Sequence, residues 1–320
     1  MSARSEIRTA RLLLIDGGQS GCRAAYVRDG ATVATATAPG LRRAGRRWEE
    51  LRGLVDGLAP GEVDVTAAGL TGFVAEDLDA LRAVLPGETL LVTSDAVTAY
   101  LGALGDEPGA VIVAGTGAIA LAAAPDGRHA RADGWGTLLG DDGGGYWIAR
   151  RGLAAALRAH DGRDGSEPLR RAAEVRYGPL AHIARAVYDA PDPTATIAAF
   201  APDMAAAARG GDREAAAIWE QAGRELARTV AAALARAQVG GTAPDGGAAR
   251  DHPGGVAVSW AGGLFAAGEL ILAPFSAELA RLVPHARPKP PRGVGLAGAA
   301  RLAERPTRFA TLIHEAGAAP

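Results

Sequence analysis

The stretch Thr93–Arg150 constrains the fold more than any other part of the chain. It opens VTSDAVTAYLGAL, continues VIVAGTGAIALA and closes on DGWGTLLGDDGGGYWIARRG. An apolar strand gives way to a helix at Asp95. A second apolar strand ends in the turn Gly115–Gly117, and a loop of acids and glycines, Asp133–Gly145, runs into another helix. Strands alternating with helices in this way are the layer pattern of an α/β protein. The same groups have a chemical reading: a carboxylate at a strand–helix junction and turns without side-chain bulk can hold a phosphate beside a hydroxyl and a base.

The device occurs earlier as well. RLLLIDGGQSGCRAAYV (Arg11–Val27) reads as strand, tight turn, strand, with Asp16-Gly17-Gly18 as the turn signal. Taken alone it is a plain hairpin. In its functional reading the turn amides face a phosphate and Asp16 holds Mg²⁺ through water. A third strand is expected at Thr32–Thr37, then helices at Arg47–Leu58 and Glu76–Val84, strands at Val63–Gly72 and Thr89–Asp95, and a helix at Ala96–Leu104. The opening pattern returns near Gly109, its turn roughly a hundred residues after the first, as a duplication of pattern rather than of sequence.

From Gly152 to about Gly240 the texture changes to alanine, arginine and leucine at helical spacing. Ile218, Ala222, Leu226, Val230 and Leu234 fall four apart, and a helical bundle covering a sheet is expected. Gly240–Gly255 reads as a loop, and Val256–Leu279 as strand, glycine turn and helix. A proline-rich crossing (Pro284–Pro291) leads to Gly293–Glu304, a small-faced helix suited to close packing.

Composition narrows the function. A chain of 320 residues, 48% of them hydrophobic, can bury two ordinary cores, and its formal net charge of −2 gives no nucleic-acid footprint. No segment approaches the ~20 apolar residues needed to cross a bilayer, so a cytoplasmic protein with no membrane partner is expected. Cys22 is the only cysteine, which rules out an internal disulfide and an all-cysteine metal site within one chain. Lys289 is the only lysine and lies between prolines, so neither a GxxxxGK[ST] loop nor a protein-kinase lysine is present. Any nucleotide must be held by backbone amides, arginine and metal.

Five landmarks in order, Asp16–Ser20, Asp95–Leu104, Gly115–Gly117, Ala261–Gly263 and Gly293–Glu304, resemble the actin-like ATPase and sugar-kinase superfamily. Within it, SDA, AGTG and GWGxLLGDxGxGYWIAR are most similar to the N-acetylglucosamine kinase branch, grouped with the BadF-type ATPases. The resemblance spans roughly Leu12 to Leu302. It implies two α/β domains of the ribonuclease-H type with an interdomain cleft: residues 1–108 with a returning C-terminal helix in 290–320, and residues 109–289 carrying a helical insertion at about 152–240.

It also implies an ATP-dependent amino-sugar kinase using Mg²⁺. Gly17, Gly18, Gln19, Ser20, Gly115, Thr116 and Gly117 would meet the phosphates, and Ala261, Gly262, Gly263 and Leu264 the adenosine. Asp16 would be the metal-side carboxylate and Asp95 the base. Asp95, Thr116, Trp135, Gly136 and Asp141 would contact the sugar. Asp142 is a second candidate there, with capping of the following helix as its structural alternative. The family's partner state, a homodimer, is implied too.

Two departures stand out. The usual DGGGT is here DGGQS, so Gln19 replaces a glycine. The Gly-x-x-Asn segment of N-acetylglucosamine-specific kinases is absent, and Arg42, Arg43 and Arg46 stand in the matching region. Other classes remain open: an ATPase coupled to a partner protein, or a non-catalytic sugar sensor. The first needs two cysteines per chain for a shared iron–sulfur cluster, and the second would be expected to lose Asp16 or Asp95.

Overall fold

The structure, a computed structural model, describes residues 10–41, 47–239, 255–293 and 295–317. Arg42, Arg43, Arg46 and nearly all of the Gly240–Gly255 loop lie outside the described residues. The chain divides into two compact units: residues 1–111, 123–129 and 289–320, and residues 112–122 and 130–288.

The first unit is built on a mixed sheet of order β11-β5-β4-β1-β2-β3. Its strands are β1 (Leu12–Gly17), β2 (Cys22–Arg28), β3 (Ala31–Ala38), β4 (Val65–Leu70), β5 (Thr89–Ser94) and β11 (His314–Ala316). β1, β2 and β3 pair antiparallel, whereas β1–β4 and β4–β5 are parallel. Parallel neighbours need helical crossovers. These are α1 (Arg47–Leu58) and α2 (Leu78–Val84), the latter preceded by a 3₁₀ turn at Ala75–Asp77. The expected helix at Glu76–Val84 therefore begins as a tighter turn. Leu13, Ile15, Leu51, Leu70, Leu81 and Leu90 are fully buried between sheet and helices.

α3 (Asp95–Ala103) follows β5 directly. Its residues Ala96–Ala103 are all buried, because α11 (Leu296–Ala303, at the C-terminal end of the chain) lies against it. A Cβ on Gly298 would collide with the Thr98 carbonyl oxygen, and one on Gly102 would come within 3.0 Å of Gly293 O. The expected small-faced helix is thus one side of a close helix crossing. Lys289, the lone lysine, pairs with Glu107, which also takes Arg292.

The second unit holds most of a five-stranded sheet of order β10-β9-β6-β7-β8. Its strands are β6 (Gly109–Ala114), β7 (Ala118–Ala123), β8 (His129–Asp133), β9 (Val256–Ala261) and β10 (Ala286–Pro288). Between β8 and β9 come α4 (Gly145–His160), α5 (Glu167–Tyr177), α6 (Ile183–Tyr188), α7 (Pro193–Ala198), α8 (Ala201–Arg209) and α9 (Arg213–Ala237). α10 (Glu269–Leu282) follows β9. In α9 the buried stripe runs through Trp219, Ala222, Leu226, Val230 and Leu234, and Ile218 is only half-buried. The ring of Trp219 anchors the start of that face. Asp212 caps the helix by accepting from Ala215 N at 2.7 Å. None of the described helices is long and apolar enough to cross a membrane.

Candidate active site

The first turn follows from the register of β1 and β2. Asp16 pairs with Arg23 and Gly17 with Cys22, leaving Gly18–Gly21 as the reversal, closed by Gly18 N donating to Gly21 O at 3.0 Å. Leu41 N donates to Gly18 O at 3.0 Å, bracing the turn from the chain after β3. Gln19 and Ser20 are exposed at its tip. Gln19 is not among the described non-glycine residues with positive φ, so a side chain sits there without backbone strain. Cys22 is buried behind the turn as a free thiol, pushed up to about 12 by burial and then by the Asp16 charge.

Two carboxylates stand near this turn, at the ends of the strands that flank β4. Asp16, half-buried at the end of β1, has its carboxyl raised above the usual range by burial, with only Arg23 acting in the other direction. Asp95 is the first residue of α3, and the cap position belongs to Ser94. Burial, then the Asp16 charge, push the Asp95 carboxyl up to about 6, opposed by donors from Ala96 N–H and the Thr71 hydroxyl. A residue whose only task was to cap α3 would stand at Ser94. Thr71 was not singled out from the sequence, since a lone Thr-Gly after a strand carries no motif.

In the second unit the turn Gly115–Gly117 is held by the helix that follows it. Gly115 N donates to Gly117 O at 2.9 Å, Gly145 N to Gly115 O at 2.8 Å and Tyr146 N to Thr116 O at 2.9 Å. The first amides of α4 are thereby spent on the turn's carbonyls. Asp141, which is 4% exposed, comes so near Gly117 that a Cβ there would strike its Oδ2. Only glycine allows this approach.

The Asp141 carboxylate accepts from Gly136 N at 3.1 Å. Asp133, which the motif reading passed over, accepts from Asp141 N at 2.7 Å and Asp142 N at 3.0 Å, folding the loop on itself. Asp142 is exposed, and the cap position of α4 is Gly144, with no side-chain cap bond; the capping role weighed for Asp142 is not found. Trp135 is 60% exposed, with the Arg131 guanidinium 4.7 Å from its ring centroid, so one indole face is already covered.

Ala261 ends β9, and Gly262, at φ 103°, lies where a Cβ would strike Ala114 O at the end of β6. The Ala261–Leu264 turn and the Gly115–Gly117 turn therefore adjoin. The structure brings together Asp16, Gly17, Gly18 and Asp95 in the first unit. In the second it brings together Gly115–Gly117, Gly136 and Asp141 on one side of the turn, and Ala261–Leu264 on the other.

The chain is similar to known proteins. A family model described as the BadF/BadG/BcrA/BcrD ATPase family matches residues 15–270. An N-acetylmuramic acid/N-acetylglucosamine kinase of Clostridium acetobutylicum is 38% identical over 74 residues, 23% of this chain and 24% of that protein. The match thus spans about a quarter of that relative's length.

Among solved structures, a proposed N-acetylglucosamine kinase from Chromobacterium violaceum superposes with a TM-score of 0.72 at 26% identity, covering 93% of this chain and 99% of that one. A ROK family glucokinase from Streptomyces griseus, in complex with glucose and AMPPNP, gives 0.57 at 18% identity over 92% and 98%. The fold is accordingly the two-domain α/β fold of the actin-like ATPases and sugar kinases. With a family match over most of its length, the chain belongs to the BadF/BadG/BcrA/BcrD ATPase family.

Proposed function

We propose that this protein is an ATP-dependent kinase that phosphorylates a hydroxyl of an N-acetylglucosamine-like amino sugar. The observation that carries the reading is Asp95: a carboxylate at a helix start, pushed up to about 6 by burial and by Asp16. A base tuned toward neutrality suits proton removal from a hydroxyl. The names of the clostridial relative and of the Chromobacterium structure support the substrate class.

In this reading the Asp95 carboxylate takes the proton of the sugar hydroxyl as its oxygen bonds to the γ-phosphorus. The bond from that phosphorus to the β–γ bridging oxygen breaks, and ADP leaves with the electron pair. Each glycine turn, Gly17, Gly18, Gln19 and Ser20 in the first unit and Gly115, Thr116 and Gly117 in the second, is proposed as a phosphate-binding element, through groups other than Gly18 N and Gly115 N, which are committed within their turns. Ala261–Leu264 receive the adenosine. Thr116, Trp135, Gly136 and Asp141 hold the sugar.

Asp16 fits a role as the protein's ligand to Mg²⁺. It is a half-buried carboxylate at the end of β1, raised by burial, with Arg23 acting in the other direction. Mg²⁺ commonly binds through one or two carboxylates plus substrate phosphates, and no cluster of three or more ligating side chains is found among the described residues. When bound, the ion would neutralise phosphate charge. We further propose a cytoplasmic location and a homodimer; light scattering on the purified chain tests the dimer, and a monomer mass would rule it out.

The deciding experiment is an ADP-release screen over glucosamine, N-acetylglucosamine, N-acetylmannosamine, glucose and muramic-type sugars, repeated with Asp95→Asn. Sugar-dependent ADP release is expected from the wild type, with turnover lowered roughly 10²–10⁴-fold in the variant. A folded Asp95→Asn protein keeping more than a tenth of wild-type turnover would overturn the mechanism.

A further inference from the structure

We propose that Gly40 is a positioning residue for the first glycine turn: its missing side chain lets the chain after β3 lie directly on the Gln19–Ser20 peptide and fix where that peptide stands. The inference rests on the proposed role of Gly17–Ser20 as a phosphate-binding element. β2 and β3 pair antiparallel with Cys22 opposite Ala38, so Pro39, Gly40 and Leu41 run back past the turn made by β1 and β2. A Cβ on Gly40 would strike Gln19 O and Gln19 C and come within 2.7 Å of Ser20 N. All three are backbone atoms that cannot rotate away. Leu41 N donates to Gly18 O at 3.0 Å. The Leu41 side chain is 4% exposed, and a Cβ on Gly17 would come within 2.7 Å of its Cδ1. Two residues after β3 thus touch the turn at Gly17, Gly18 and Gln19.

Gly40 is not among the described glycines with positive φ, so space rather than backbone freedom demands glycine there. The turn's own glycines are less confined. A Cβ on Gly18 would meet Gly21 O at 3.5 Å and one on Gly21 would meet Ala38 O at 4.0 Å, both ordinary contacts. The turn is therefore shaped from outside, by the segment packed on it. Of the two partners the segment is the firmer: Pro39 fixes its own φ and Leu41 is buried, whereas Gln19 and Ser20 are exposed at the tip. Gly40→Ala should accordingly displace the turn rather than the segment. A misplacement of about 1 Å in a positioning element can cost about a hundredfold.

The test measures binding of AMPPNP with Mg²⁺, and of AMP, to the full chain by calorimetry, in wild type, Gly40→Ala, Leu41→Ala and Gly57→Ala. Gly40→Ala should weaken AMPPNP binding about ten- to a hundredfold. Binding of AMP, which lacks the β- and γ-phosphates, should change little. Leu41→Ala keeps the backbone contacts but loosens the packing on Gly17, and should act in the same direction by less. Gly57→Ala places the same methyl in the same unit where a Cβ meets nothing within 4 Å, and should leave both affinities unchanged. Hydrogen exchange gives a readout free of nucleotide: the Leu41 amide should exchange faster in Gly40→Ala, because its bond to Gly18 O is pulled apart.

A merely structural role would lower the urea midpoint of Gly40→Ala and leave its ratio of AMPPNP to AMP affinity at the wild-type value. That result would overturn the inference, as would Gly40→Ala binding AMPPNP as tightly as wild type. If Gly40→Ala does not fold, Leu41→Ala decides by the same ratio, and an unmoved ratio overturns the inference. If the wild type binds no AMPPNP, the phosphate reading fails and this inference falls with it. If the wild type binds AMPPNP and the ratio is unmoved in the variants, only this inference fails.

Discussion

At the scale of single residues, Asp95 sets two quantities against each other. Its carboxyl titrates near 6 in the folded protein and near 4 in an unfolded chain. The folded state therefore binds the proton more tightly, which favours folding below about pH 4, and this advantage is lost as pH rises through about 6. At pH 7–8 the ionised carboxylate costs about 1–3 kcal/mol. Asp95→Asn should thus unfold at a higher denaturant concentration than wild type at pH 7.5, and at a nearly equal one at pH 4, in the absence of nucleotide and metal. Turnover should show the reverse preference, falling about tenfold per unit below pH 6 as the base becomes protonated. A variant both more stable and much less active is what a residue kept for function predicts. Equal denaturation midpoints at pH 7.5 would contradict the burial argument.

At the scale of elements, the crossing of α3 and α11 offers a test whose sign decides. Gly298 lies inside α11, and in a free helix Gly→Ala adds up to about 1 kcal/mol of stability. Here a Cβ meets the Thr98 carbonyl, which is backbone and cannot rotate away. Gly298→Ala should instead destabilise by about 1–3 kcal/mol, as overpacking does, measured by urea unfolding. A gain in stability would mean the helices do not pack as closely as described. The loop before α4 follows the same logic with polar groups. Asp133 holds the Asp141 and Asp142 amides and Asp141 holds Gly136 N, so the loop is fixed by carboxylates rather than by regular secondary structure.

At the scale of the whole molecule, ligand binding should appear as stability. A non-hydrolysable ATP analogue with Mg²⁺, at a hundredfold over its Kd, should add about 2.7 kcal/mol by mass action. Excess chelator, or Asp16→Asn, should remove most of that gain, and a thermal shift unchanged by either would rule out Asp16 as the metal-side ligand. The alternation of strands and helices, the two glycine turns and the helical run after Gly152 were legible in the residues, because periodicity and turn chemistry are local. Asp16 and Asp95 could also be named, since each stands at a strand end beside a glycine turn or a helix start. β10, β11 and the 3₁₀ start before α2 were not legible. β10 and β11 are three residues long and exist only because β9 and β5 offer them an edge. Nor could the sequence show Asp133 bracing Asp141, or Gly298 against Thr98. Local sequence determined the elements and the kinds of chemical group; the tertiary structure alone decided which groups meet, because residues far apart in the chain are made neighbours by strand register and helix crossing.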